Sequence, residues 1–228
     1  MSHQINVVRI KGVYNALDLL KDDVVFVGGA TVSLYADNPL QTEVRPTMDI
    51  DVLVEILTYG GYVKIQETLA GLGFQVDKES KIICRYRYQG LIVDIMPIDE
   101  GALGFSNKWY KEGYATRNAY VIDERTKVNI FRPAYFIASK LEAFKGRGKN
   151  DGRQSPDFED IVFVLDNRKK IWEEMKQVDT GVRQYLITEF KRLVENPHID
   201  EWIACHLEPT VSTARTKKII DAMKEFLI

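Results

Sequence analysis

The sequence predicts an α+β fold in which a strand-rich front half is followed by a helical back half. Short apolar and β-branched runs bounded by turn residues fill the front half, as in Val24–Val27 and Met48–Val54, and such runs are typical of buried strands. In the back half, which opens at Pro133, apolar residues recur at helical spacing. We therefore expect one domain at residues 1–130 and a helical C-terminal subdomain at residues 131–228.

Turn residues and apolar spacing assign the elements of the front half. We expect a helical or mixed lead-in at 5–20, strands at 24–27 and 48–55, a helix from about 30, an amphipathic helix at 61–72, a strand entering at 74–77, a hairpin of 81–88 with 90–98, and a short strand pair near 119–129. Only Gln89-Gly90 separates the two arms of the hairpin, which favours a tight turn.

The back half is expected to be helical by the spacing of its apolar residues. The predicted helices cover 133–147, 157–168, 169–178, 182–194 and 214–227. Ser155-Pro156-Asp157 combines a capping residue, a proline and an acidic residue, an order that favours a helix start at this point.

Composition excludes several classes of protein. A net charge of −2 over 228 residues argues against a strongly basic nucleic-acid binder, and 45% hydrophobic residues are enough for a proper core. Cys84 and Cys205 lack metal or redox spacing, which fits a reducing compartment, and the three histidines form no ligand pattern. Without a signal peptide or an apolar run of membrane-spanning length, we expect a soluble, cytoplasmic protein with no membrane partner.

Two carboxylates stand on the second predicted strand. Asp49 and Asp51 are two residues apart, so they project from one face of the strand. Like charges this close repel each other unless a cation lies between them, and Mg²⁺ takes carboxylate oxygens together with substrate phosphates. Upstream, the Gly28-Gly29 turn before a helix suits a phosphate group. The alternatives are a solvated strand end for the carboxylates and a plain tight connection for the glycines.

A third carboxylate, Asp94, falls in the middle of the apolar strand 90–98. An ionised carboxylate there is costly unless it is paired or bound to a cation. We expect it to complete a metal site with Asp49 and Asp51. The alternative is an ion pair with Arg85 or Arg87 across the predicted hairpin.

These residues together resemble the motifs of the DNA polymerase beta-type nucleotidyltransferase superfamily: Gly28-Gly29, the Asp49-x-Asp51 pair and the lone strand residue Asp94. The chain is most similar to the AbiEii/AbiGii-like nucleotidyltransferases, many of which are toxins of toxin–antitoxin pairs, and the resemblance covers roughly residues 24–165. It implies a small mixed nucleotidyltransferase sheet flanked by helices, in a catalytic domain at 1–130.

The resemblance also implies a metal-dependent reaction. The three carboxylates would hold two Mg²⁺ ions, with Mn²⁺ as a substitute, and a nucleoside monophosphate would pass from an NTP to an acceptor hydroxyl. Gly28 and Gly29 would hold the β- and γ-phosphates. The family often carries a serine directly after its glycine, and here that hydroxyl would come from Thr31 or Ser33.

Further site residues are implied on the helices after the sheet. AbiEii-like proteins carry a lysine there with a basic residue five positions on, which corresponds to Lys140 and Lys145. Lys140 could stabilise charge on the triphosphate, the alternative being an exposed helix lysine. Asp157 and Asp160 match an acidic pair of the family. Asp160 is the better candidate, in an ion pair with Lys140, because Asp157 also suits the N-terminus of its helix.

Three functions stay open at this point. The first is a nucleotidyltransferase acting on RNA or protein, as the toxin of a toxin–antitoxin pair with an antitoxin protein as its partner. The second is an antibiotic-modifying nucleotidyltransferase with a small aminoglycoside as acceptor. The third is a catalytically silent relative that serves as a binding module.

Overall fold

The computed structural model describes residues 2–40, 43–56, 58–149 and 151–228. The chain divides into two compact units. The first unit comprises Met1–Leu34 and Glu43–Arg132, and the second comprises Tyr35–Thr42 and Pro133–Ile228.

A mixed β-sheet forms the centre of the first unit. In the described residues it has seven strands: β1 (Val24–Val27), β2 (Asp49–Val54), β3 (Gln75–Val76), β4 (Arg85–Tyr88), β5 (Leu91–Pro97), β6 (Asn118–Asp123) and β7 (Thr126–Ile130). Their order across the sheet is β3-β4-β5-β2-β1-β7-β6. The pairs β2–β5 and β1–β7 are parallel and the other neighbours are antiparallel. The expected α+β class with a mixed sheet is confirmed.

Helices complete the first unit. They are α1 (Ser2–Ala16), α2 (Tyr59–Gly71), α3 (Glu100–Leu103) and α4 (Tyr110–Ala115), together with 3-10 segments at Asp18–Leu20 and Gly29–Tyr35. The expected helix near Ala30 is therefore a 3-10 helix. The N-terminus of α2 is capped by Thr58, whose hydroxyl accepts a hydrogen bond from the backbone N–H of Gly61 at 3.2 Å.

Burial explains the sequence patterns of the two central strands. All four residues of β1 are buried, so the strand is apolar along its whole length. In β2, Ile50 and Val52 are buried while Asp49 and Asp51 are partly accessible. The alternation places the two carboxylates on one face of the sheet, as expected from their spacing.

The β4–β5 hairpin forms with the expected two-residue turn. Gln89 and Gly90 both have positive φ, of 46° and 82°, which suits the right-handed twist of the strands. The first arm is shorter than expected, because residues 81–84 form a turn instead of a strand. In this turn the backbone N–H of Ile82 donates to the hydroxyl of Ser80, and the N–H of Arg85 donates to the carbonyl of Ile82 at 3.2 Å.

The second unit is helical. Its described helices are α5 (Pro133–Arg147), α6 (Pro156–Asn167), α7 (Ile171–Lys176), α8 (Thr180–Val194), α9 (Ile199–Ala204) and α10 (Ser212–Phe226). The predicted start of α6 is confirmed, since Ser155 accepts a hydrogen bond from the N–H of Phe158 and Pro156 is the first helical residue. Phe144, Phe158 and Trp202 pack edge-on or tilted in the core of this unit.

None of the helices in the described part of the chain is long and apolar enough to cross a membrane.

Candidate active site

Three neighbouring strands bring charged residues together on one face of the sheet. Strands β2 and β5 are parallel, and Asp51 pairs in register with Asp94. Strands β4 and β5 are antiparallel, and Asp94 pairs in register with Arg85. Register partners project to the same face, as do residues two apart on one strand. Asp49, Asp51, Asp94 and Arg85 therefore share a face.

Arg85 bridges two of the carboxylates. Its Nε donates to Oδ1 of Asp94 at 2.7 Å, and its Nη2 donates to Oδ2 of Asp94 at 2.7 Å. The same Nη2 also donates to Oδ2 of Asp49 at 2.7 Å. The hydrogen bonds to Asp94, with further contributions from its charge and from Asp49, hold the pKa of the Arg85 guanidinium above its usual value. The guanidinium thus supplies the positive charge that a buried Asp94 requires.

Asp94 has the two neighbours that were considered for it, the carboxylates of β2 and an arginine of the hairpin. The residue lies on the strand beside Asp49 and Asp51, in register with Asp51. It also forms the ion pair with Arg85 that was the alternative to metal binding. Arg85 therefore holds two of the three carboxylates, Asp49 and Asp94, that were expected to bind metal.

The first glycine of the Gly28-Gly29 turn lies directly against Asp51. Gly28 follows β1, whose last residue, Val27, pairs with Asp51. Its φ of 73° is in the left-handed region that favours glycine. A Cβ at this position would collide with Oδ2 of Asp51 and lie 2.7 Å from its Cγ. The carboxylate of Asp51 and the backbone of the turn can approach this closely only because residue 28 has no side chain.

The second glycine lies against a cation. A Cβ on Gly29 would be 2.8 Å from Nη2 of Arg45 and 2.8 Å from Cγ2 of Thr47. The turn therefore has a carboxylate beside one glycine and a guanidinium beside the next. Arg45 is not among the site residues predicted from the sequence. Its position between the glycines and Asp49, four residues before that carboxylate, is the signal that could have identified it.

The two hydroxyl residues after the turn have partners inside the chain. Thr31 is fully buried and its Oγ1 donates to the carbonyl of Gly28 at 2.9 Å. Ser33 is fully buried as well, and its Oγ is 2.8 Å from Nδ1 of His3. These bonds stabilise the turn and the 3-10 helix behind it. A direct role of Thr31 or Ser33 toward a nucleotide stays a prediction.

A second charged cluster lies within the second unit, around Lys140. The Nζ atom of Lys140 is 2.7 Å from Oδ2 of Asp160 and 3.1 Å from Oδ1 of Asp157. Arg147 adds two hydrogen bonds to Asp157, at 2.6 and 2.8 Å. The expected pair of Lys140 with Asp160 is present, and Asp157 joins it.

This cluster is buried. Lys140, Asp157 and Asp160 are 6%, 1% and 2% exposed, so the interpretation of Lys140 as an exposed helix lysine is wrong. Burial alone would raise the pKa of Asp157, but the hydrogen bonds from Arg147 and the charge of Lys140 outweigh it and hold this pKa below its usual value.

Oxygen ligands suited to Mg²⁺ are present in the first unit, but they are not arranged around a common point. In the described residues, no group of three or more His, Cys, Asp or Glu side chains is placed to hold a metal ion. Asp49 and Asp94 both form ion pairs with Arg85. Their oxygens therefore point toward the guanidinium group. The carboxylates on one sheet face fit a hard divalent ion chemically, provided that Arg85 gives up part of its contacts.

Comparison with known proteins found likeness among solved structures and no match by sequence. No family model and no curated protein matches the sequence. Among solved structures, the chain is similar to the crystal structure of an antigenic nucleotidyltransferase-like protein from Paracoccidioides brasiliensis. The sequence identity is 17% over 86% of this chain and 91% of that chain, with a TM-score of 0.49.

Proposed function

We propose that the chain is a metal-dependent nucleotidyltransferase that moves a nucleoside monophosphate from an NTP to an acceptor hydroxyl. One observation carries the proposal. Asp51 stands in register with Asp94 on one sheet face, and its carboxylate lies against Gly28 of a Gly-Gly turn. Carboxylates that could bind a divalent ion, beside a glycine turn that could bind phosphate, are the groups that transfer from a nucleotide requires.

The residues of the first unit have two proposed roles, metal binding and phosphate binding. Asp49, Asp51 and Asp94 are the proposed ligands of two Mg²⁺ ions, which Mn²⁺ can replace. When bound, these ions would supply Lewis-acid stabilisation of charge on the triphosphate and the acceptor oxygen. The backbone of Gly28 and Gly29 would hold the β- and γ-phosphates.

The guanidinium of Arg45, which lies against Gly29, adds a positive charge at the end of the turn where those phosphates would lie. A planar guanidinium group can bind two oxygens of one phosphate at the same time. We therefore add Arg45 to the nucleotide-binding residues of the proposal.

The proposed reaction is an in-line displacement at the α-phosphorus. The acceptor oxygen forms a bond to this phosphorus while the α–β phosphoanhydride bond breaks and pyrophosphate leaves. Asp94 would take the acceptor's proton. Lys140, which pairs with Asp160 within the second unit, stays a prediction as a cation that acts on the triphosphate.

Isotopic labelling tests this function directly. The protein is incubated with Mg²⁺ or Mn²⁺ and either α-³²P- or γ-³²P-labelled NTPs, with bulk tRNA, the protein itself or an aminoglycoside as acceptor. Transfer of label from the α-labelled NTPs alone supports the proposal. Asp51→Asn should abolish it, whereas Asp123→Asn, which alters a strand aspartate paired with Lys11, should not. Equal transfer by the wild type and Asp51→Asn would contradict the site.

The acceptor decides between the biological roles. Label on RNA or protein supports a toxin that acts with an antitoxin partner, and label on the aminoglycoside supports antibiotic modification. The Arg85 bridge between Asp49 and Asp94 favours one second candidate, a catalytically silent nucleotide-binding module. Nucleotide binding without label transfer to any acceptor would support that candidate.

A further inference from the structure

We propose that Arg85 is an internal cation that competes with the divalent metal for Asp49 and Asp94, so that metal binds only as the guanidinium gives up part of its contacts. The inference rests on the proposed function, since it requires that these carboxylates bind metal. It assigns Arg85 as a positioning residue that sets the metal affinity of the site.

The hydrogen-bond geometry supports competition. Arg85 uses two nitrogens on the two oxygens of Asp94, and shares one of them, Nη2, with Asp49. All three distances are 2.7 Å, and such charge-assisted pairs are among the stronger hydrogen bonds in proteins. A divalent ion that takes oxygens from both carboxylates would lie beside this guanidinium. The two cations would repel each other, so binding one weakens the other.

Arg85 can release the carboxylates only by moving its side chain. A guanidinium does not lose its proton in proteins, so the positive charge of Arg85 can leave Asp49 and Asp94 only if the side chain moves. The strand that carries Arg85 pairs with β5 and holds its backbone in register with Asp94. Arg85 can therefore move away only by rotation of its side chain. Because 18% of this side chain is exposed, it can rotate toward solvent.

Charge then couples metal binding to nucleotide binding. Without a nucleotide, Arg85 offsets part of the repulsion among three carboxylates, and the metal gains little by replacing it. A triphosphate brings further oxygen ligands and negative charge, which favour the divalent ion and give the guanidinium another partner. We expect weak metal binding by the protein alone and tighter binding with the nucleotide present, a coupling that is reciprocal by thermodynamic necessity.

The strand offers a matched control two residues away. Arg87 is the same residue type on β4, and its Nε pairs with Oδ2 of Asp77 at 3.0 Å. Asp77 is not one of the three proposed ligands. Removing the charge of Arg87 therefore changes the local charge of the strand as much as removing that of Arg85, but leaves the contacts of Asp49 and Asp94 in place.

The test is Mn²⁺ binding to the full chain without nucleotide, measured from the electron paramagnetic resonance signal of free Mn²⁺. Arg85→Gln should bind Mn²⁺ more tightly than the wild type, by on the order of tenfold, the scale of losing a charge-assisted contact. Arg87→Gln should match the wild type. Arg85→Lys, which keeps the charge but loses the bidentate geometry, should show a smaller gain and provides the comparison if Arg85→Gln does not fold.

The outcomes separate this proposal from the proposed function. If the wild type binds Mn²⁺ and Arg85→Gln or Arg85→Lys binds it equally or more weakly, the competition is overturned while the metal site stands. If neither the wild type nor the variants bind Mn²⁺, with or without an NTP, the metal-dependent function is overturned together with the role of Arg85. A gain confined to the Arg85 variants supports both.

Discussion

The carboxylate of Asp51 lies against Gly28, so closely that a Cβ on residue 28 would stand 2.7 Å from Cγ of Asp51. Glycine is required here for two independent reasons, the positive φ of 73° and the lack of space. The first reason is common to many turns. The second links the turn to one of the proposed metal ligands, so a substitution at Gly28 should disturb the site and not only the backbone.

Gly28→Ala should therefore lose nucleotidyl transfer and Mn²⁺ binding in the presence of NTP. The added methyl group must push the carboxylate of Asp51 away from the turn. We expect at least a tenfold loss of Mn²⁺ affinity, the scale of one lost charge-assisted contact. The measurements are label transfer from α-³²P NTP and Mn²⁺ titration in the presence of NTP.

Gly104→Ala is the matched control for that substitution. Gly104 has a nearly equal φ of 76° but nothing within 4 Å of its Cβ position. The Gly104→Ala variant should lose about 1 kcal/mol of unfolding free energy because of backbone strain, and it should bind Mn²⁺ as the wild type does. If both alanine variants bind Mn²⁺ as the wild type does, the contact between residue 28 and Asp51 has no functional consequence.

Arg45→Gln should weaken NTP binding while leaving Mn²⁺ binding without nucleotide unchanged. The guanidinium lies against Gly29, at the end of the turn assigned to the phosphates, and it acts on phosphate oxygens instead of the metal. We expect a loss in NTP affinity of about tenfold, the scale of one charge-assisted contact. Binding of a fluorescent NTP measures it. Arg125→Gln, which alters an exposed basic residue of the first unit, is the control. If both substitutions weaken NTP binding equally, Arg45 acts only through the net charge of the protein and does not contact the phosphates.

The pattern of apolar residues predicted strands β1 and β2 well. The four buried residues of β1 and the alternation of β2 follow directly from their side chains. The turn at Gln89-Gly90 follows from the short interval between two apolar arms. The shared face of Asp49 and Asp51 needed no more than the geometry of a strand.

Long-range pairing was beyond a single sequence. Nothing local places β5 beside β2 in the parallel register that aligns Asp94 with Asp51, because that choice depends on how the whole sheet packs. The contact of Arg45 with Gly29 also joins a loop to a distant turn. The turn at residues 81–84 was missed because its β-branched residues favour a strand, while the hydrogen bond from Ile82 to Ser80 closes a turn there.

Asp157→Asn should destabilise the protein at neutral pH by about 3 kcal/mol, the scale of breaking a buried ion pair. The folded-state pKa of Asp157 is lowered, so its contribution to stability is fully present above the unfolded pKa of about 3.9. It is lost as the pH falls through the folded pKa. The difference in unfolding free energy between the wild type and Asp157→Asn should therefore shrink below about pH 4.

Denaturant titrations between pH 3 and pH 7 measure that difference. Asp221→Asn is the control, because Asp221 pairs with Lys217 on the exposed face of α10, and exposed pairs contribute little. A destabilisation by Asp157→Asn that stays constant down to pH 3 would mean that the carboxylate charge is not what stabilises the cluster.

Lys140 requires a test that separates catalysis from stability, because its Nζ is buried between Asp157 and Asp160. Lys140→Met leaves both carboxylates with less positive charge and should lower the unfolding free energy. Lys140→Met combined with Asp160→Asn removes one charge of each sign, and should recover part of that loss. Denaturant titration of the single and double variants measures the recovery.

The rate of transfer then decides the role of Lys140. If the lysine acts on the phosphates, the double variant should be stable and still transfer slowly, by about a hundredfold, as expected for loss of one stabilising group. Single-turnover transfer at saturating Mg²⁺ and NTP measures the chemical step separately from binding. Lys191→Met is the control, since Lys191 is an exposed lysine of the same unit that pairs with Glu195 at 3.9 Å. Recovery of the rate together with stability in the double variant would make Lys140 a structural residue, and would leave the residues of the first unit to carry the chemistry.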